Sequence, residues 1–160
     1  MSKHLTHEIE YDAPLARVVA MLADRGFREE VCTAQGGTPS EITLDGSGVG
    51  MTVVVDQVQP AEGIPGFAKK FVGDEINIVQ REEWSTDDRA DLHVTIPGKP
   101  GAMTGSITLV ESGGTTTETV DVEIKVNIPL VGGKIESLIG DMLRAALRTE
   151  GNAGRDYLSR

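Results

Sequence analysis

The stretch Thr119–Glu150, TVDVEIKVNIPLVGGKIESLIGDMLRAALRTE, changes its hydrophobic period once, and that change decides the fold. Up to Ile128 the period is two. Val120, Val122, Ile124, Val126 and Ile128 point one way, and Thr119, Asp121, Glu123, Lys125 and Asn127 the other, so this strand has one buried and one wet face. After Gly133 the apolar positions Ile135, Leu138, Ile139, Met142, Ala146, Ala153 and Tyr157 recur at three- and four-residue steps. That is a helix of about seven turns, long enough to lie across a sheet. The corner Gly132-Gly133-Lys134 superficially suggests a phosphate loop, but a Walker motif needs Gly at 128 and Ser or Thr at 135, and both positions are Ile. The glycines are read as the turn between strand and helix.

Working back toward the N-terminus, short Gly, Pro and Asp turns separate alternating runs. Ile42 and Leu44 precede DGSG; Val49–Val58, Ile76–Trp84, Leu92–Ile96 and Met103–Val110 follow in turn; Thr116–Ile128 closes the set. Such punctuation marks hairpins, hence an antiparallel sheet that is mostly a meander. Leu5, His7, Ile9 and Tyr11 alternate with polar residues and predict a first strand. Pro14 then opens a helix carrying Leu15, Val18, Val19 and Leu22, Gly26 interrupts it, and a shorter helical piece with Phe27 and Val31 follows. The expected fold is α+β, in the order β-αα-β6-α, with a seven-stranded antiparallel sheet and one long C-terminal helix covering a face.

The chain has 160 residues, which fits a single domain spanning 1–160 that buries roughly two thirds of its unfolded surface. Its net charge of −10 repels phosphate backbones and argues against nucleic acid as a partner. The lone Cys32 cannot form an internal bridge and fits a reducing compartment and a core position. No signal-like or membrane-spanning apolar run occurs. The expectation is a soluble cytoplasmic protein. No cofactor and no metal are expected: GSGVG is followed by a strand where a dinucleotide fingerprint needs a helix, and His4 and His7 fall on opposite faces of a strand.

Parity also places polar groups on inward faces. Met51, Val53, Val55 and Gln57 share a face, as do Ile76, Ile78, Gln80, Glu82 and Trp84. A buried polar group without a partner costs about 1–3 kcal/mol, so polar residues there imply either satisfying partners or a pocket. Gly140, Gly151, Gly154 and several alanines on the covering helix, with only six aromatic residues in the chain, are read as leaving room between helix and sheet. Phe67 and Phe71, four apart around Lys69-Lys70 in PAEGIPGFAKKFVGDE, are read as a lid able to touch an apolar ligand or, transiently, an anionic membrane surface.

Four segments carry a resemblance: EYDAPLARVVAMLAD, IPGFAKKFVGDEINIVQREEW, ADLHVTIPGKPGAMTGSITL and VNIPLVGGKIESLIGDMLRAALRTE. Across nearly the whole chain the sequence resembles a mainly actinobacterial family of uncharacterised proteins in the START-like superfamily, also called SRPBCC. The resemblance implies a helix-grip fold, in which the sheet wraps around the C-terminal helix and encloses a cavity. That superfamily includes lipid carriers, binders of hydrophobic ligands, polyketide cyclases and chaperone-associated proteins, so it does not choose a chemistry.

The leading expectation is non-enzymatic binding or transport of a small hydrophobic molecule or lipid. Met51, Val53, Ile78, Trp84, Met103, Leu138, Met142 and Ala146 are expected on the wall, with Gln80 and Glu82 orienting a polar group. One alternative is a polyketide cyclase or dehydratase with Glu82 or His7 as general base. Another is a protein-interaction module using the seven acids between Asp74 and Asp91.

Overall fold

A computed structural model of the chain describes residues 2–46 and 49–160. The elements run β1 (Ser2–Tyr11), α1 (Leu15–Leu22), α2 (Arg25–Ala34), β2 (Thr38–Asp45), β3 (Thr52–Pro60), α3 (Gly66–Val72), β4 (Glu75–Thr86), β5 (Arg89–Thr95), β6 (Ala102–Ser112), β7 (Thr115–Lys125) and α4 (Gly132–Leu158). The expected order holds, with α3 added at the amphipathic turn that carries Phe67 and Phe71. Part of the DGSG turn, at positions 47 and 48, lies outside the described residues.

The strands form one antiparallel sheet in the order β1-β7-β6-β5-β4-β3-β2. β2 to β7 are a meander, and β1 adds to the far side of β7. The helices α1 and α2 therefore carry the chain from one edge of the sheet to the other. They break at Asp24 rather than at Gly26: Asp24 caps α2 by accepting from the Gly26 N–H at 2.8 Å. Tyr157 near the end of α4 donates to the other oxygen of Asp24 and packs its ring edge-on against Phe27, centroids 5.4 Å apart.

β7 stops at Lys125, so Val126, Asn127 and Ile128 belong to the connection and not to the strand. The chain turns there through Leu130, which is fully exposed and has a φ of 72°, a conformation disfavoured for a side chain of its size. Gly132 starts α4 where a Cβ would lie 2.6 Å from the Val126 carbonyl oxygen. Glycine is needed for that close approach.

α4 packs chiefly along β1, with further contacts to β7, α1 and α2. Its glycines explain how. A Cβ on Gly154 would fall 2.5 Å from the Tyr11 ring, one on Gly151 3.0 Å from Ile9, and one on Gly140 3.4 Å from Lys3. These glycines lie against β1 and let the helix come close. The reading that they leave room for a cavity is corrected: they tighten one side of α4. The opposite side, facing β4 to β6, is held away from the sheet.

Candidate functional site

Between that side of α4 and the sheet is a cavity of about 220 Å³. α4 contributes Leu138, Ile139, Met142, Leu143, Ala146 and Glu150; β4 contributes Ile76, Ile78, Gln80, Glu82 and Trp84; β6 and β7 contribute Met103, Ile107, Glu118, Val120, Val122 and Ile124. α3 and the β5–β6 loop border it through Phe71, Val72, Lys99 and Pro100. The wall is thus largely aliphatic with a small polar set, the usual composition of a small-molecule site.

Of the residues expected on this wall, Ile78, Gln80, Glu82, Trp84, Met103, Leu138, Met142 and Ala146 lie there. The inward parity of β4 survives because the register shifts fall at Trp84–Thr86 and at Pro39–Glu41, outside Ile76–Trp84. Met51 and Val53 do not line it. They are almost fully buried in the solid core cluster that also holds Phe27, Val31 and Cys32 of α2, so that end of β3 is packed rather than hollow. Farther along the same face Gln57 does reach the cavity. Of the two lid residues Phe71 borders the cavity and Phe67 does not; the Lys134 Nζ sits 5.4 Å from the centroid of the Phe67 ring and ties α3 to the first turn of α4.

The polar set is concentrated around one buried ion pair. Arg28 on α2 is 4% exposed and Glu82 1% exposed, and they meet in a two-pronged contact, Nη1 to Oε2 at 2.8 Å and Nη2 to Oε1 at 2.9 Å. The Trp84 indole N–H donates to Oε1 at 3.0 Å and the Gln80 amide to Oε2 at 2.6 Å, while the Arg28 Nε–H donates to the Leu22 carbonyl at 2.8 Å. Burial pushes the Glu82 carboxyl up, but the Arg28 charge and these donors outweigh it and hold the group below the usual carboxylate range. With its oxygens engaged by four donors and its charge neutralised, Glu82 does not fit the role of general base.

His7 does not fit either. It is half-buried on β1, its imidazole pKa is lowered by burial and by Arg148 and Arg144 of α4, and it does not line the cavity. His4 pairs instead with Asp121 across the β1–β7 ladder, and among the described residues no cluster of three metal-ligating side chains occurs. Cys32 is buried and its thiol pKa is raised by that burial.

Two carboxyls missed by the sequence reading complete the site. Glu118 on β7 is 2% exposed, and its Oε1 has no hydrogen-bond partner among the described residues. Glu150 on α4 is half-buried and lines the same cavity. The register brings them to one level: Glu118 pairs with Ile9, and Ile9 lies against Gly151. Burial, then the neighbouring Glu150 and Glu82, push the Glu118 carboxyl well above the ordinary range. Burial also pushes Glu150 up to about 7, with Arg28 opposing. Both groups therefore hold their protons more tightly than ordinary carboxyls do. Just beyond Glu118, the Tyr11 hydroxyl is fully buried, has no partner among the described residues, and is shifted upward by burial and by Glu118.

The signals for these groups were present. Counting back by twos from Val120 puts Glu118 and Thr116 on the inward face of β7, and Glu150 is four residues beyond Ala146 on α4. Arg28 directly follows Phe27 and is four residues before Cys32, on the buried side of α2.

The sheet, the covering helix and the cavity between them define a protein of the helix-grip class, the fold of START-like and Bet v1-like proteins. More narrowly, residues 6–158 match the family described as "Protein of unknown function (DUF2505)", and the chain belongs to that family. Relatives include the uncharacterised protein Rv0481c of Mycobacterium tuberculosis, 30% identical over 105 residues that cover 61% of this chain. The match spans 60% of that relative's length.

Solved structures with the same fold include three proteins of low sequence identity. The di-domain ARO/CYC BexL of the BE-7585A biosynthetic pathway has a TM-score of 0.68 at 16% identity, covering 97% of this chain and 49% of that one. TTHA0849 from Thermus thermophilus has 0.65 at 14%, covering 96% and 95%. Truncated norcoclaurine synthase from Thalictrum flavum has 0.63 at 17%, covering 99% and 94%. At such identities the likeness concerns the fold alone.

Proposed function

We propose that this protein binds a small hydrophobic molecule in the cavity between α4 and β4–β7, as a carrier or sensor rather than by transforming it. The observation that carries the reading is the wall of aliphatic side chains with its polar groups gathered around Arg28, Glu82, Glu118 and Glu150. Water released from such a wall favours an apolar occupant by roughly 25 cal/mol per Å² of apolar surface covered. Trp84 and Gln80 act on Glu82 and not on the ligand, so the expected orienting pair Gln80–Glu82 is a rigid backing to the site. Phe71 and α3 form the side through which a ligand enters, and transient contact of α3 with a membrane during transfer is part of this proposal. Among the described residues no helix is long and apolar enough to cross a membrane.

The test uses the neutral reporter N-phenyl-1-naphthylamine, whose emission rises in apolar surroundings. It should bind, and exciting Trp84, the one tryptophan of the chain, should light the bound reporter by energy transfer. Failure of the reporter and of unlabelled hydrophobic competitors to bind would contradict the reading.

A second reading, an enzyme of the cyclase type, draws on the neighbour BexL, a di-domain ARO/CYC, and on a carboxyl, Glu150, pushed up to about 7. It predicts turnover of a poly-β-ketone that is lost in Glu150→Gln. The interaction-module alternative has less support, since Glu82, one of its seven acids, is turned inward; the other six are exposed.

A further inference from the structure

We propose that the ligand of this cavity carries a protonated amine, seated between the carboxyls of Glu118 and Glu150 with its apolar part along the aliphatic wall. The inference rests on the hydrophobic-ligand reading and names the polar end of that ligand.

Three carboxyls, Glu82, Glu118 and Glu150, line the cavity beside a single buried cation, Arg28. Arg28 is paired with Glu82: its Nε serves Leu22 and its two terminal nitrogens each donate to one oxygen of Glu82. Glu82 in turn is saturated by Arg28, Trp84 and Gln80. No hydrogen bond of that network reaches Glu118 or Glu150, and the Arg28 charge only partly offsets their burial. The other cation on the wall, Lys99, is exposed in the β5–β6 loop, next to the strand end where Met103 pairs with Ile124, and Glu118 lies six residues from Ile124 along β7. Glu118 Oε1 is buried without a partner among the described residues.

Each class of ligand meets this arrangement differently. A carboxylate or phosphate would bring a further negative charge to a cavity whose one buried cation, Arg28, is already paired with Glu82, and is disfavoured. A neutral oxygen could accept a hydrogen bond from Glu118 only in its acid form and would bring no counter-charge to either carboxyl. An ammonium has three N–H donors and one positive charge, and it supplies what both carboxyls lack. The elevated affinity of the two groups for protons expresses the same deficit of positive charge. Binding an ammonium lets both carboxyls ionise, so protons are released. Binding a neutral acceptor releases none.

The experiment titrates the purified protein at pH 7 with three probes of the same chain length, n-octylamine, 1-octanol and octanoate, by calorimetry in two buffers of different ionisation enthalpy. Octylamine should bind about tenfold or more tightly than octanol, as expected for charge-assisted hydrogen bonds, with octanoate weakest. Proton release should accompany octylamine alone. In Glu118→Gln/Glu150→Gln the preference for the amine over the alcohol, and the proton release, should disappear. Glu150→Gln alone, at a half-buried position, should reduce the amine preference several-fold and serves where the double variant does not fold. Octanol binding as tightly as octylamine without proton release, or octanoate binding best, overturns the amine assignment and leaves the hydrophobic pocket standing. Binding of none of the three overturns both.

Discussion

Replacing Arg28 by Met keeps most of the side-chain volume and removes the one buried cation of the site. Arg28 and Glu82 are 4% and 1% exposed and share two hydrogen bonds at 2.8 and 2.9 Å, so the variant strands a carboxylate with only the Trp84 and Gln80 donors left. Breaking a buried pair from one side costs about 3–5 kcal/mol, a large share of a typical domain's stability. The loss should also grow with pH. Without Arg28 the folded-state pKa of Glu82 rises above its unfolded value and joins Glu118 and Glu150, and a carboxyl so raised gives stability below the unfolded pKa that is lost as pH climbs through the folded one. Urea unfolding of Arg28→Met at pH 5 and pH 8 should therefore show the larger deficit at pH 8. Arg28→Met/Glu82→Leu should recover most of the loss, because no charge is then left unpaired. Single and double variants that each cost less than about 1 kcal/mol, with no pH trend, would mean that the pair is solvated and that the polar set is not a desolvated cluster.

Further outcomes follow from the same geometry. Gly154→Ala should destabilise by about 1–3 kcal/mol despite the better helix propensity of alanine, because its Cβ would fall 2.5 Å from the Tyr11 ring. Gly140→Ala meets only ordinary contacts with Lys3 and Leu5 at 3.4 and 3.6 Å and should stabilise by up to about 1 kcal/mol; thermal melts of the two variants check the pair. Glu150 is raised from 4.5 to about 7, so wild-type stability should fall between pH 5 and pH 8 by up to about 3 kcal/mol from this group, and Glu150→Gln should flatten that slope in urea titrations.

The architecture was legible because period and punctuation agree along most of the chain. The two-residue alternation of β7, the glycine corner and the three-to-four spacing of α4 each specify one local structure, and together they leave one sheet with one covering helix. The cavity wall was legible where parity ran unbroken, as in β4 from Ile76 to Trp84. It failed at Met51 and Val53, since which part of an inward face is packed and which is hollow depends on where α2 lies over the sheet. The glycines of α4 were misread for a related reason: a missing side chain opens space only if the neighbouring backbone does not move in, and β1 does. The ion pair joins Arg28 to Glu82, 54 residues apart, and only the folded structure shows that this partnership makes Glu82 a fixed anion. Glu118 and Glu150 then become the groups with unmet bonding capacity.

Native mass spectrometry of the protein isolated from its own cells, set against its denatured mass and against the Ala146→Trp variant prepared in the same way, tests the central claim most directly. Ala146 lines the cavity, and an indole there would occupy much of its 220 Å³. The account predicts a reproducible noncovalent adduct on the wild type, absent from the folded variant and soluble in organic solvent once released. A wild type that flies without any adduct and takes up N-phenyl-1-naphthylamine no better than Ala146→Trp would contradict it.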